Sequence, residues 1–349
     1  MEAILSDITA LTYWRTDSDA LGNPSARNTA LPERRGVVAP AAPTVSGVAD
    51  LQMWGLIEES TPEIHLLVTD RNQRRHIEGV KFTVQSGAVP KGSFLRVRGQ
   101  VYAVCPELLF VQLAARLSTV ELLEVGYELC GTYRMVNGTP VYWQDPLTSV
   151  SKLRSYAQRA KGMRGRAKAE QATRWLADNS ASPAETALAI MFKLPLRLGG
   201  CALPDFQLNR ELALNAAAAH IFGRDYLRPD FFFLHGKHPS EYDSARYHDA
   251  GEQAEFDERR RNAYNAMGMS VTVFRPRHLV NADLFDDMVA SIRRNTGTRL
   301  QAPPANYDQA HRDLFYEVFR YWNDLKDDLG TGEEFAQRAA AWSEPKLPW

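Results

Sequence analysis

Three acidic residues lie where the chain resembles a β-hairpin, and their types and spacing suit metal-dependent hydrolysis. Asp230 stands at the start of an apolar, aromatic stretch, and Glu241 and Asp243 follow a turn that contains Gly236 and Pro239. These turn residues predict two adjacent antiparallel strands. Side chains two apart on a strand share a face, so we expect Glu241 and Asp243 to face Asp230 across the hairpin.

Carboxylates gathered in this way repel one another unless a cation neutralises them. Hard oxygen ligands suit Mg²⁺ or Mn²⁺, with Asp230 and Glu241 as the expected ligands. A bound divalent metal activates water and stabilises charge that develops on phosphorus, which phosphodiester hydrolysis requires. The alternative is a surface hairpin whose carboxylates have no catalytic task.

Five short motifs follow one another between Ser182 and Phe274. They are SPAET with Glu185, RPDF with Asp230, EYDSARYH with Glu241, Asp243 and His248, DERRRNAYNAMG with Asp257 and Arg260, and VTVF at the end. In this order they resemble the very-short-patch-repair-like branch of the PD-(D/E)xK endonuclease superfamily, over about a quarter of the chain. The resemblance implies a restriction-endonuclease-like mixed sheet flanked by helices, and catalytic roles for Glu185, Asp230, Glu241, Asp243 and His248.

The motifs depart from the family pattern at two positions. Ser244 stands where the family has a glycine after E-x-D, and Asp243 replaces the superfamily's lysine, a replacement common in this branch. An electrophilic role must then come from the metal or from another residue. Lys237 and Arg246 are the candidate replacements, and each can equally be a solvated turn charge.

Glu185 and His248 each have two interpretations. Ser182, Pro183 and Glu185 form a helix-capping pattern, which explains Glu185 without any catalytic role, whereas the family resemblance directs it to the metal site. His248 could bind a metal-bound water as neutral imidazole or assist the leaving oxygen when protonated. It could also be a loop histidine hydrogen-bonded to Asp249.

Positive charge is concentrated just before these motifs. From residue 152 to 174 there are eight basic residues against the single acid Glu170. We expect DNA-phosphate contacts from Lys152, Arg154, Arg159, Lys161, Arg164, Arg166 and Lys168, and from Arg259, Arg260 and Arg261 on the flank of a helix from about Ala254 to Met267. The alternatives are a solvated connector for the first set and helix pairs with Asp257 and Glu258 for the second.

The composition is that of an ordinary globular protein. The chain has 349 residues, of which 44% are hydrophobic and 24% charged, and its net charge is -1. The protein as a whole therefore has no positive electrostatic field that would attract nucleic acid. Its three cysteines are widely spaced and predict buried thiols rather than disulfides or a zinc site. Without a secretion signal or a membrane-length apolar run, we expect a cytoplasmic protein.

Upstream, the chain predicts strands at Ile64 to Val68 and Val80 to Val84, then a strand, a turn at Cys105 and Pro106, and two helices. Residues 61 to 135 resemble the C-terminal part of AbiEi-type antitoxins of bacterial toxin-antitoxin and phage-resistance systems, which implies a toxin or antitoxin partner and a role in defence. The usual winged helix is not expected, because only a short helix near Ile4 to Leu11 precedes a loop-like stretch from residue 21 to 48.

The predicted fold class is α/β, with an N-terminal α+β module and a C-terminal helical extension. The expected division is 1–60, a partly loop-like segment; 61–150, the antitoxin-like module; 151–181, a basic connecting helix; 182–297, the nuclease-like domain; and 298–349, an aromatic helix and tail. The aromatic stripe from about Tyr307 to Leu329 is typical of core, with an oligomer or partner surface as the alternative.

The sequence thus favours a DNA endonuclease dependent on Mg²⁺ or Mn²⁺. The first alternative is a catalytically degenerate nuclease fold that acts as a DNA-binding or antitoxin-type regulator. A scaffold that neutralises a toxin without contacting DNA is the second.

Overall fold

The computed structural model describes residues 2–16, 51, 63–74, 76–85, 87–98, 100–244, 252–299, 301–331 and 333–342. The predicted loop at residues 21–48, and the candidates Arg246 and His248, lie outside the described residues. Two compact units divide the chain: unit 1 has Met1–Leu129, Arg134–Gly138 and Leu147–Arg174, and unit 2 has Cys130–Tyr133, Thr139–Pro146 and Trp175–Trp349. Helices accompany mixed sheets, so the predicted α/β class is confirmed.

Unit 1 contains a five-stranded mixed sheet and its helices. Its elements are β1 (Glu2–Leu5), α1 (Asp7–Arg15), β2 (Ile64–Val68), β3 (Val80–Val84), β4 (Phe94–Arg98), β5 (Gln100–Val104), α2 (Pro106–Ala114), α3 (Thr119–Cys130), β6 (Arg134–Val136), α4 (Val150–Arg159) and α5 (Arg166–Ala172). The strand order is β3-β2-β1-β5-β4. The predicted strands at 64–68 and 80–84, and the helix pair after Pro106, are confirmed.

The start of the chain differs from the expected short helix. Residues 2–5 form β1, the central strand of the sheet, and the helix begins only at Asp7. Strand β1 pairs with β2 and with β5, which lie far along the chain. An apolar run this short fits a buried strand or a helix equally well, and these distant partners decide between them.

The basic segment, residues 152–168, is two helices rather than one. Helix α4 ends at Arg159, and Gly162 and Gly165 adopt positive φ angles of 78° and 86° before α5 begins. A Cβ atom at Gly165 would lie 2.3 Å from the backbone oxygen of Val111 in α2. Close packing on α2 therefore requires glycine at this position, directly before α5 begins.

Unit 2 contains the four-stranded sheet that carries the predicted nuclease motifs. Its elements are β7 (Thr139–Val141), α6 (Pro183–Lys193), β8 (Phe206–Leu208), β9 (Leu212–Ala213), α7 (Ala216–Phe222), β10 (Tyr226–Leu227), β11 (Phe231–Phe233), β12 (His238–Tyr242), α8 (Glu252–Ala266), β13 (Thr272–Phe274), α9 (Pro276–Leu279), α10 (Ala282–Thr296), α11 (Tyr307–Val318), α12 (Arg320–Leu329) and α13 (Glu333–Ala340). The order is β13-β12-β11-β8; β12 and β8 are antiparallel to β11, and β13 is parallel to β12.

Phe192 of α6 fixes this helix on the sheet. Its ring lies 5.2 to 6.3 Å, centroid to centroid, from the rings of Phe206, Phe231, Phe233, Phe274 and Phe285. Residues seven apart share a helix face, so the packing of Phe192 also directs Glu185, in the first turn, toward the sheet.

The predicted aromatic helix of the C-terminal part is broken in two at Phe319. Its stripe is buried within unit 2, with Leu314, Phe315, Val318, Phe319, Trp322 and Leu325 all under a tenth exposed. The core interpretation of the stripe is therefore confirmed, and these side chains are not available to a partner. None of the helices in the described part of the chain combines the length and apolar character needed to cross a membrane.

Candidate functional site

Strands β11 and β12 position the two predicted metal ligands. Phe231 pairs with Ser240, and continuing this register by one residue sets Asp230 opposite Glu241. The Asp230 carboxylate accepts a hydrogen bond from the backbone N–H of Tyr242 at 2.6 Å. Both acids are buried, each with 7% of its surface exposed. The structure thus places them side by side at one end of the hairpin.

Arg260 of α8 neutralises Glu241 in the interior. Its Nη2 lies 2.7 Å from Oε1 of Glu241, with 9% of each side chain exposed, and it also donates to the backbone oxygen of Arg228 at 2.8 Å. The Tyr264 hydroxyl donates to the same Glu241 oxygen at 2.8 Å. Burial by itself lowers the pKa of Arg260, but the nearby negative charges, chiefly that of Glu241, raise it by more. The pKa is therefore higher than usual and the guanidinium is charged.

Tyr264 acts as a fixed donor to Glu241. Burial, and then the Glu241 charge, raise the pKa of its phenol well above the ordinary value, so the hydroxyl keeps its proton. Residues four apart on a helix share a face, which brings Arg260 and Tyr264 of α8 to one carboxylate oxygen. Glu241 is therefore held by two donors from a single helix.

Glu185 caps its helix and also contacts the site. Ser182 Oγ accepts the Glu185 N–H at 3.1 Å, so the predicted N-cap is confirmed. The Glu185 carboxylate accepts from the N–H of Ala181 at 3.0 Å, the Ser182 hydroxyl at 3.1 Å and the Asn209 side-chain amide at 2.6 Å. The backbone N–H of Asn209 donates to the Asp230 carbonyl at 3.1 Å. Asn209 therefore joins Glu185 to the start of β11.

Asp243 directly follows the end of β12. Its N–H donates to the Phe274 carbonyl at 2.8 Å, so the hydrogen bonding between β12 and β13 continues to this residue. Its carboxylate lies 3.5 Å from Nε of Arg275 and is one-third exposed. The shared face of Glu241 and Asp243 stays a prediction.

Lys237 lies at the opposite end of the hairpin from the two acids. It belongs to the short 3₁₀ turn His235–Lys237 between β11 and β12. At about 3.3 Å per strand residue, its backbone is roughly 13 Å from that of Glu241. Lys237 is therefore badly placed to replace the superfamily's lysine.

The basic segment exposes most of its charge. Lys152, Arg154, Arg159, Lys161 and Arg164 are exposed, and Arg166 and Lys168 are half-buried. The half-buried pair serves packing: Arg166 donates to Glu170 and to the Ala157 carbonyl, each at 3.0 Å, and Lys168 donates to the Leu117 carbonyl. Of the exposed members, Arg154 donates to the Thr173 carbonyl at 3.0 Å and Arg159 to the Ser155 carbonyl at 3.3 Å.

The three consecutive arginines Arg259 to Arg261, the arginine triplet, point to different sides of helix α8. Arg259 and Arg261 are exposed, the first 3.9 Å from Glu255 and the second donating to the Asp257 carbonyl at 3.4 Å. Arg260 is only 8% exposed, which corrects the expected position on the flank. It lies on the same helix face as the buried Ala263 and Tyr264, which pack with Ala218 and Phe222 of α7 and with Leu227.

Two residues of the site had no functional role in the sequence analysis. Tyr264 had no role there, although its spacing of four residues from Arg260 could have predicted a partner that the two side chains share. Asn209 carries no such signal, because its contacts with Glu185 and Asp230 arise from the meeting of distant segments. It adopts a φ of 50°, a conformation that asparagine tolerates better than most residues.

The donor chemistry of the site fits a hard divalent cation. Carboxylate oxygens are the preferred ligands of Mg²⁺ and Mn²⁺, and a carboxylate has about four acceptor positions, so a hydrogen bond to it does not exclude a metal. The Arg260 guanidinium shows that a positive charge can lie beside Glu241. Within the described residues, however, no group of three or more His, Cys, Asp or Glu side chains is arranged to hold a metal ion.

No protein-family model matches this chain, and neither a curated protein nor a solved structure matches it significantly. The interpretation of the site therefore depends on its residues and their geometry.

Proposed function

We propose that this protein is a metal-dependent DNA endonuclease that hydrolyses phosphodiester bonds. The observation that carries the proposal is the position of Asp230 opposite Glu241 at one end of a four-stranded mixed sheet. The Glu185 carboxylate accepts a hydrogen bond from the Asn209 side chain, and the Asn209 N–H donates to the backbone carbonyl of Asp230. The order of helix α6, strands β8, β11 and β12, helix α8 and strand β13 supports a restriction-endonuclease-like fold.

Asp230 and Glu241 would hold the divalent ion, Mg²⁺ or Mn²⁺, which would supply an activated water and stabilise the charge on phosphorus. The chain's own groups position these ligands. The Tyr242 N–H fixes the Asp230 carboxylate, and Tyr264 and Arg260 fix that of Glu241. Such contacts restrict the ligand side chains to one orientation, as the partners of metal ligands do generally.

Incubation with supercoiled plasmid, with and without Mg²⁺ or Mn²⁺, tests the proposal. We expect nicking only with metal, and a loss of about a hundredfold or more in Asp230→Asn and Glu241→Gln, because each removes a charged ligand. Nicking that persists in both variants would exclude these residues as the metal site. The outcome is meaningful only if far-UV circular dichroism shows that the variants are folded.

The same assay separates the two roles of Glu185. Glu185→Gln keeps a side chain able to cap the helix but removes the charge near Asp230, so we expect cleavage to fall about tenfold or more. Ser182→Ala is the matched control, since it removes the cap at a cost of about 1 kcal/mol and leaves the carboxylate. Equal cleavage by the two variants would restrict Glu185 to helix initiation.

A second candidate function is a degenerate nuclease fold that binds DNA as a regulator. The buried pair of Glu241 with Arg260, together with the missing lysine, favours it, because a fixed internal cation can replace the metal. Salt-sensitive DNA binding without cleavage at any metal concentration would support this candidate.

The antitoxin-like character of unit 1 is a proposal that a second measurement tests. The two helices that follow β5 agree with the expected pattern, but core-forming residues carry most of it. Co-purification with the product of a neighbouring gene would support a toxin or antitoxin partner. Such an association without DNA binding would favour the scaffold function.

A further inference from the structure

Three segments of unit 2 meet around the buried side chain of His311 in α11. Gly199 follows the short 3₁₀ turn Leu196–Leu198, which comes just after α6, and it has a φ of 82°. A Cβ atom at Gly199 would overlap the backbone oxygen of Ala310 in α11, so only glycine lets the turn approach this closely. Asp286 of α10 contacts the same histidine. The turn, α10 and α11 are therefore joined at His311.

Each ring nitrogen of His311 faces an oxygen that can only accept a hydrogen bond. Nδ1 lies 2.6 Å from the Gly199 carbonyl oxygen, and Nε2 lies 3.0 Å from a carboxylate oxygen of Asp286. The imidazole is 5% exposed, whereas the Asp286 side chain is 53% exposed. A carbonyl and a carboxylate have no proton to give, so both contacts require a proton on the ring.

Only the doubly protonated ring satisfies both oxygens. A neutral imidazole has one N–H, so one of its nitrogens would direct a lone pair at an oxygen. The Tyr307 hydroxyl, 3.2 Å from Nδ1, could donate to that nitrogen in a neutral ring. The Gly199 oxygen would then still lie 2.6 Å from an unprotonated nitrogen. The geometry therefore favours the imidazolium.

The charges that act on His311 agree with this assignment. Burial by itself lowers its pKa, but the hydrogen bond and the charge of Asp286 raise it, as do the Gly199 carbonyl and the charge of Asp308. Together these contributions exceed the effect of burial, so the pKa lies above the ordinary value of 6.5.

The other titratable and charged groups of these elements add no second switch. Burial raises the pKa of Tyr307 and of the Cys201 thiol, so both keep their protons. Three cations have other surroundings: Arg293 of α10, which donates to the Cys201 carbonyl; Lys193 of α6, which pairs with Asp205; and Arg197 of the turn, which is exposed. Four further charged residues of α10 and α11 are exposed, namely Asp283, Asp287, Arg312 and Asp313.

We propose that His311 makes the attachment of α11 sensitive to pH: the imidazolium holds α11 to α10 and to the turn after α6, and loss of its proton weakens this attachment. The inference does not depend on the proposed nuclease function. The folded protein binds this proton more tightly than the unfolded chain does. The stabilisation by His311 is therefore complete below about pH 6.5 and is lost as the pH rises through the pKa of the folded protein.

A nuclear magnetic resonance titration of the histidine ring protons tests the protonation directly. We expect the His311 midpoint to lie above about pH 6.5 in the unaltered protein. Asp286→Asn removes the adjacent charge and should lower this midpoint, whereas Asp287→Asn, at the next exposed position of α10, should leave it unchanged. A midpoint at or below about pH 6.5 in the unaltered protein, or no change in Asp286→Asn, would overturn the inference.

Melting temperatures between about pH 6 and pH 9 test the consequence for stability. His311→Gln has no titrating group here, so its melting temperature should fall less over this range than that of the unaltered protein, by about 2 °C or more. His238→Gln is the matched control, because burial lowers the pKa of His238 to about 4 and this ring is already neutral. The control should keep the full decline.

Equal declines in His311→Gln and the unaltered protein would show that α11 is attached independently of this proton, and would refute the inference. If His311→Gln does not fold, Asp286→Asn replaces it with the same expectation, since its altered side chain is half exposed. A decline in Asp286→Asn as large as in the unaltered protein would then refute the inference in the same way.

Discussion

The basic segment of unit 1 and the arginine triplet of unit 2 are both rich in positive charge but have different structural surroundings. In the basic segment, Arg166 pairs with Glu170 at 3.0 Å, with about a third of each side chain exposed. In the triplet, Arg260 pairs with Glu241 at 2.7 Å, with 9% of each exposed. The same pair of residue types is thus solvated in one place and desolvated in the other.

This difference teaches that burial, rather than charge density along the chain, decides what an arginine can do. An exposed arginine can exchange its partner for a phosphate at little cost, because water screens both states. A buried arginine has a permanent effect on its neighbours, since removing its partner leaves an uncompensated charge. The partly exposed Arg166 can therefore exchange Glu170 for another partner at little cost, whereas the buried Arg260 is held by Glu241.

The largest difference in stability should come from neutralising the glutamate that pairs with each arginine. Glu241→Gln leaves Arg260 buried beside a neutral amide, and we expect it to lower the free energy of unfolding by about 3 kcal/mol. Glu170→Gln makes the same chemical change at an exposed pair and should cost no more than about 1 kcal/mol. Urea unfolding, with hydrogen exchange to separate the two units, measures both. Equal losses would contradict the comparison.

An intermediate effect is expected from neutralising the exposed charges of unit 1. The triple variant Lys152→Gln, Lys161→Gln and Arg164→Gln should weaken binding of a short DNA duplex about tenfold at physiological salt. It should also reduce the slope of log affinity against log salt by up to about 3, because three counterion-releasing contacts are lost.

Unchanged affinity in this triple variant would identify the basic segment as a solvated connector. Stability should not change, since none of the three side chains is buried. A variant that instead replaces the half-buried Lys168 should lose stability, because Lys168 donates to the Leu117 carbonyl.

A further prediction concerns the dependence of stability on pH, through a buried histidine. His238, on the same strand as Glu241, is 2% exposed and lies 2.8 Å from the Thr272 hydroxyl. Burial lowers its pKa to about 4. The unfolded chain then binds the proton more readily than the folded one, so the contribution of His238 is complete above about pH 6.5 and is lost as pH falls toward 4.

Melting temperatures between about pH 7 and pH 4 measure this effect. His238→Gln removes the titration while keeping a side chain that can bond Thr272, so its acid destabilisation should be smaller than that of the unaltered protein. Parallel pH profiles for the two proteins would show that His238 does not contribute.

Local signals made several elements predictable. Short apolar runs predicted strands at 64–68 and 80–84, and Ser182 predicted a helix start that its side chain indeed caps. The glycine and proline turn signals placed Asp230 and Glu241 on facing strands, as the register of β11 and β12 shows. These patterns succeed because caps, turns and period-two alternation depend on neighbouring residues.

The sequence by itself determined most kinds of elements, the fold class and the hairpin that brings two acids together. Only the tertiary structure decided that β1 is a central strand, that Gly165 packs closely on α2, that Asn209 joins Glu185 to the start of β11, and that Arg260 is buried against Glu241. Each of these facts depends on segments far apart in the chain. Burial of a charge in particular is set by everything packed around it, which no local pattern contains.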